Sequence, residues 1–200
     1  MNNSKKLNTR VIAGCGVLIG VAVILQYIEI AIPVMPSFVK LDLSDLPEII
    51  GAFAYGPLAG VIITVLKNVI HLLASQSGFV GELSNAILGS TFCLVAGLIY
   101  KKEKTKKNAI IGGVAGAIAM ALISFPVNLY IIYPMYFTIL GYPEVAIIGM
   151  YQALNPNVET LSQALLWFNV PFTLVKGLID VLLCTLVYKR ISPILKGVKK

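Results

Sequence analysis

Long apolar runs alternate with short basic clusters along this chain, and that alternation leaves it few ways to fold. Runs at about 11–32, 57–75, 81–100, 108–134 and 164–188 are each long enough to cross a bilayer at ~1.5 Å per residue. A shorter run occupies about 46–55. Thirteen of the sixteen Lys and Arg fall in the first ten residues, in the hairpin KKEKTKK at 101–107 and in the tail from Lys189. Carboxylates collect in the other connections: Asp42, Asp45, Glu48, Glu82, Glu144 and Glu159. Six passes put all three basic clusters on one face, which the positive-inside rule makes cytoplasmic. Five passes would separate the tail from the N-terminus, against that rule.

The expectation is an all-α integral membrane protein, a six-transmembrane-helix bundle forming one domain over 1–200, in the plasma membrane of a prokaryote. Composition agrees: 58% of residues are hydrophobic and 12% charged, about half the charged share of a soluble domain. The net charge of +7 lies in the clusters between apolar runs, which argues for membrane lipid and against nucleic acid. Cys15, Cys93 and Cys184 sit inside apolar runs without metal-ligand spacing and read as small hydrophobes. The first run lacks a signal-peptide cleavage pattern and is expected to stay as a span.

Polar residues within the runs are the functional candidates, because ionisable groups at membrane depth are costly. Lys67 and His71 share a face of the third run, as do Lys176 and Asp180 of the sixth. Asn128, Asn169, Lys176, Glu82 and Asn85 all fall in the half of the bundle away from the basic clusters, together with the loop 40–45. A pocket opening on that side follows, rather than a through-going pore, because the other half is almost wholly apolar. Structural readings stand beside these: Lys176 with Asp180 as an internal ion pair, and Lys67 and His71 as partners of Asp45 or Glu48. Phe38, Val39, Leu41, Met35 and Tyr130 are the candidate apolar walls. A single histidine cannot build a zinc site, and no P-loop or nucleophile–base spacing occurs. No cofactor is expected.

Gly-x-x-x-Gly occurs in the first run (Gly16, Gly20, with Ala13) and in the fifth (Gly112, Gly116). Such small faces let helix backbones approach closely. Packing within the bundle and docking of a partner membrane protein both fit; the peripheral first helix suits docking better.

The stretch KLDLSDLPEIIGAFAYGP at 40–57, followed by LKNVIH at 66–71, resembles the substrate-binding (S) components of energy-coupling factor vitamin transporters, and among them the riboflavin-specific S component. GELSN at 81–85, FPVN at 125–128, NVPFTLVKG at 169–177 and YKRISP at 188–193 extend the resemblance over almost the whole chain. The resemblance implies a high-affinity riboflavin-binding subunit, not an enzyme. It implies that vitamin is captured outside the cell and delivered through a transmembrane coupling subunit and two ATPases. Carried over residue by residue, it places ligand contacts at Val39, Leu41, Gly81, Glu82, Asn85, Asn128, Asn169 and Lys176. Partner docking falls at Ala13, Gly16 and Gly20, where an alanine pair would be usual. The residues alone specify a small, planar, partly polar ligand. Another vitamin or a nucleobase-like ligand on the same scaffold is the alternative, with a membrane-embedded enzyme a more distant one.

Overall fold

The computed structural model describes residues 9–196; Lys5 and Lys6, and the tail side chains from Lys189 onward, lie outside the described residues. Five helical stretches are long and apolar enough to cross a membrane: Thr9–Tyr27, Pro57–Ala74, Val80–Lys102, Lys106–Thr138 and Leu161–Tyr188. The protein is a membrane helical bundle. In chain order α1 is Thr9–Tyr27, α2 Asp45–Tyr55, α3 Pro57–His71, α4 Val80–Lys102 and α5 Lys106–Val127. Then follow α6 Tyr133–Thr138, α7 Glu144–Gln152, α8 Leu161–Ala164 and α9 Val170–Lys196.

The short second run forms a helix, but its eleven residues extend only ~16 Å, about half the hydrocarbon thickness. It is a wedge rather than a free-standing span. Eight of its residues, Asp45, Pro47, Glu48, Ile49, Ile50, Gly51, Ala52 and Phe53, are buried, and it packs against α1, α3, α4 and α9. Tyr55-Gly56-Pro57 ends it. Gly56 has φ +106°, a value that L side chains rarely adopt, and Pro57 starts α3 where a missing N–H costs nothing. A side chain at Gly97 would sit 2.8 Å from the Pro57 backbone, so α4 lies directly on this turn.

The two ends of the bundle differ. At one, the rings of Phe53, Tyr100 and Tyr188 pack together, Tyr188 edge-on to the other two, and Gly14 makes room for Tyr55. The start of α1, the α2–α3 turn, the 101–107 hairpin and the lower part of α9 therefore share that end. At the other, residues 28–44 fold back over the bundle. There Ile30–Ala31, expected as the end of the first span, pairs antiparallel with Lys40–Leu41 of the expected loop (Ile30 opposite Leu41). The connection after α6 also contains α7, which the sequence did not signal.

The fifth and last long helices each contain one wide, five-residue turn, at Asn128–Ile132 and Leu165–Asn169. Each lies just before a proline, Pro134 and Pro171, whose ring nitrogen cannot donate to the carbonyl one turn back. Turns of this kind cluster at functional positions, and here one begins at Asn128 and the other ends at Asn169.

Candidate functional site: a cavity under the 28–44 loop

A cavity of about 520 Å³ lies beneath the 28–44 loop, within the range of small-molecule sites. Ser37, Phe38, Val39, Lys40 and Asp42 form its roof; Leu88, Gly89 and Met120 reach its deepest part. Its sides are Gln26 of α1, residues around Glu82 at the start of α4, and Asn128, Tyr133, Asn169, Thr173 and Lys176 of the helices with wide turns.

Buried charge gives the cavity its chemistry. Lys176 Nζ lies 3.1 Å from Asp42 Oδ2 and 3.1 Å from Asp45 Oδ2. Lys67, fully buried, pairs with Asp45 Oδ1 at 3.0 Å and Glu48 Oε1 at 2.6 Å. Thr64 Oγ1 donates to Glu48 Oε2 at 2.6 Å, and Ser44 Oγ joins the two halves by contacting both Asp42 and Lys67. Burial opposes the charge on Asp42, yet Lys176, Lys67 and the two bonds from Ser44 outweigh it and hold the carboxyl below the usual carboxylate range. The network thus ties the loop to α2, α3 and α9.

A second network shapes the wall. Asn169 Nδ2 donates to the Tyr133 hydroxyl (3.1 Å), Tyr133 contacts the Tyr151 hydroxyl (2.5 Å), and Tyr151 donates to Asn169 Oδ1 (2.6 Å). Phe38 packs edge-on against Tyr133 and Tyr151 and tilted against Tyr136. At the mouth, Glu82 accepts from His71 Nδ1 (2.9 Å), Ser75 Oγ (2.8 Å) and Ser77 Oγ (3.0 Å). Lys40 pairs with Glu29 beside them.

The sequence fits the family described as "ECF transporter, substrate-specific component" over residues 10–188. The chain belongs to this family. Among similar proteins is the riboflavin transporter RibU of Staphylococcus aureus (strain TCH60), 28% identical over 99% of this chain and 100% of that one. Another is the riboflavin transporter FmnP of Bacillus subtilis (strain 168), 27% identical over 88% of each chain. A solved structure described as the S component of a bacterial ECF transporter superposes with a TM-score of 0.73 at 27% identity, covering 94% of this chain and 98% of that chain.

In this ECF substrate-specific component, Val39, Gly81, Glu82, Asn85, Asn128, Asn169 and Lys176 all line one cavity. Several expectations change. Leu41 does not line it, whereas Val39, Lys40 and Asp42 do. Tyr130 is 73% exposed on the outside of the bundle, and Met35 is buried away from the cavity. Asp180 is not the partner of Lys176: its carboxylate oxygens have no hydrogen bond among the described residues, while Lys176 is held by the loop. His71 pairs with Glu82 rather than Asp45 or Glu48.

Asn169 and Glu82 have most of their bonding capacity committed within the protein, whereas Asn128, 6% exposed, faces the cavity without a hydrogen bond from its side chain among the described residues. Sequence reasoning missed Gln26, the one amide inside the first apolar run. It donates to Asn68 at 3.1 Å, and its Oε1 is buried without a partner.

The two Gly-x-x-x-Gly faces part company. A Cβ at Gly112 or Gly116 would meet the Ala96 or Phe92 carbonyl at 2.7 or 2.8 Å, so this face is packing within the bundle. Ala13, Gly16 and Gly20 are exposed, and a Cβ at either glycine would touch nothing within 4 Å.

Proposed function

We propose that this chain is the high-affinity riboflavin-binding S component of an ATP-driven ECF importer, a transport subunit rather than an enzyme. One observation carries the reading. A blind cavity joins an uncommitted amide, Asn128, to a buried ammonium, Lys176, beneath aromatic walls, in a chain similar over its whole length to proteins named riboflavin transporters. An isoalloxazine ring carries adjacent N–H and carbonyl groups on one edge. The Asn128 amide both donates and accepts, and matches that edge. Lys176 donates to a ring carbonyl, and Phe38 and Tyr133 flank the ring faces. Desolvated donors of this kind reject ligands that cannot satisfy them. Asn85 and Gln26 are the groups left to meet the polyol, because Glu82 is already engaged by three donors.

Counting α2 as a half-length pass, the chain crosses six times and both ends are cytoplasmic, so the cavity opens outside. Its depth ends at Leu88, Gly89 and Met120, which adjoin a cluster of buried apolar side chains with Phe92, Ala96 and Tyr100. The subunit docks through Ala13, Gly16 and Gly20 on a transmembrane coupling subunit, tilts bodily, and releases vitamin inward with energy from two ATPases. The test is purification in detergent without added ligand, followed by an absorbance spectrum. Co-purified flavin, released on denaturation, supports the reading. Colourless protein that fails to quench riboflavin fluorescence overturns it.

A further inference from the structure

Lys176 has three N–H groups; one donates to Asp42 Oδ2 at 3.1 Å, and Asp45 Oδ2 is ion-paired with the ammonium at 3.1 Å. That leaves an N–H for the cavity that Lys176 lines. The two carboxylates therefore set where that N–H points. They differ in kind. Asp45 begins α2 and is shared with Lys67. Asp42 belongs to the loop that roofs the cavity, and its other oxygen is pinned from behind by the Ser44 N–H (2.8 Å) and the Ser44 hydroxyl. Asp42 and Lys176 lie 134 residues apart in sequence, so this ion pair ties the roof to the wall, beside the packing of Phe38 on Tyr133 and Tyr151.

We infer that Asp42 is a positioning residue for ligand recognition: held by Ser44, it aims the Lys176 ammonium into the cavity and couples loop closure to ligand contact. This rests on the proposed riboflavin site. A ligand that accepts from Lys176 completes the coordination of an ammonium already fixed by the loop, and the bound ligand then stabilises the closed roof. Asp180, one turn along α9 and buried without a hydrogen-bond partner, does not take part in this aiming.

A double-mutant cycle on purified full-length protein tests this, with riboflavin affinity read by fluorescence quenching. Asp42→Asn is expected to weaken binding on the order of 10- to 100-fold, the scale for losing one member of a buried charge pair. In a Lys176→Met background the same change is expected to add no further loss. A residue with only a structural role would lower affinity by the same factor in both backgrounds, and multiplying losses overturn the inference. Should Asp42→Asn not fold, Ser44→Ala replaces it in the cycle, keeping every charge; it is expected to weaken binding less, and again not in the Lys176→Met background. Wild-type affinity in Asp42→Asn, with binding impaired in Lys176→Met, overturns this inference alone. Wild-type affinity in Lys176→Met overturns it together with the proposed site.

Discussion

The two ends of this bundle are built from the same apolar helices and do opposite things. At the loop end, buried side chains are held in ion pairs and amide–tyrosine bonds around an open cavity. At the end shared by the start of α1 and the 101–107 hairpin, helices close on glycines and on tilted and edge-on aromatic rings. Such polar networks are expensive in hydrocarbon unless satisfied, and the buried ion pairs are gathered at the cavity end, where the proposed ligand site lies. The proposed route for cargo, movement of the whole subunit on a partner, would use the exposed small face of α1, where Gly16 and Gly20 meet no neighbouring atom.

Ranked by their effect on riboflavin affinity, substitutions separate these regions. Lys176→Met is expected to weaken binding on the order of 100-fold or more, since it removes a ligand donor and takes from Asp42 its ion-pair partner. Asn128→Ala should cost about 10- to 100-fold by leaving polar groups of the ligand unpaired. Titration by fluorescence quenching measures both, and near-normal affinity in either would detach the cavity from function.

Gly116→Leu acts at the filled end. Its side chain would drive into the Phe92 carbonyl, and overpacking of this kind costs ~1–3 kcal/mol or more. The melting temperature in detergent should fall, with ligand affinity changing only as far as the fold does. Unchanged melting would mean that α4 and α5 are not packed as closely as the structure has them. Asp180→Asn should leave affinity within about threefold, because distant or uncoupled sites contribute little. A large loss would make Asp180, not the loop, the working partner of Lys176. Gly16→Leu with Gly20→Leu should leave binding intact and abolish uptake in cells. Normal uptake by this double variant would defeat the docking assignment.

Much of this contrast is legible in the sequence. Basic clusters and carboxylates divide the connections by side, and the polar residues of the third to sixth runs fall in one half. Some of what was missed was legible too. Asn128 and Tyr130 are two residues apart on a helix and so point to nearly opposite faces, which excludes Tyr130 from the wall.

Other features are not carried by local pattern. Lys176 and Asp180 have ideal spacing for an ion pair, but the lysine pairs with Asp42 of a distant loop and Asp45 at the start of α2. The wide turns at 128–132 and 165–169 depend on prolines acting through packing, and the two-residue strand pair depends on loop closure. The two Gly-x-x-x-Gly motifs are alike as sequence and are told apart only by whether a neighbouring helix lies against them.

The most direct test of the central claim is riboflavin titration of the purified wild-type protein beside Lys176→Met and Asn128→Ala. The account predicts saturable one-to-one quenching of flavin fluorescence by wild type and strongly weakened binding by both variants. Absence of quenching by well-folded wild-type protein, or equal binding by all three, would contradict it.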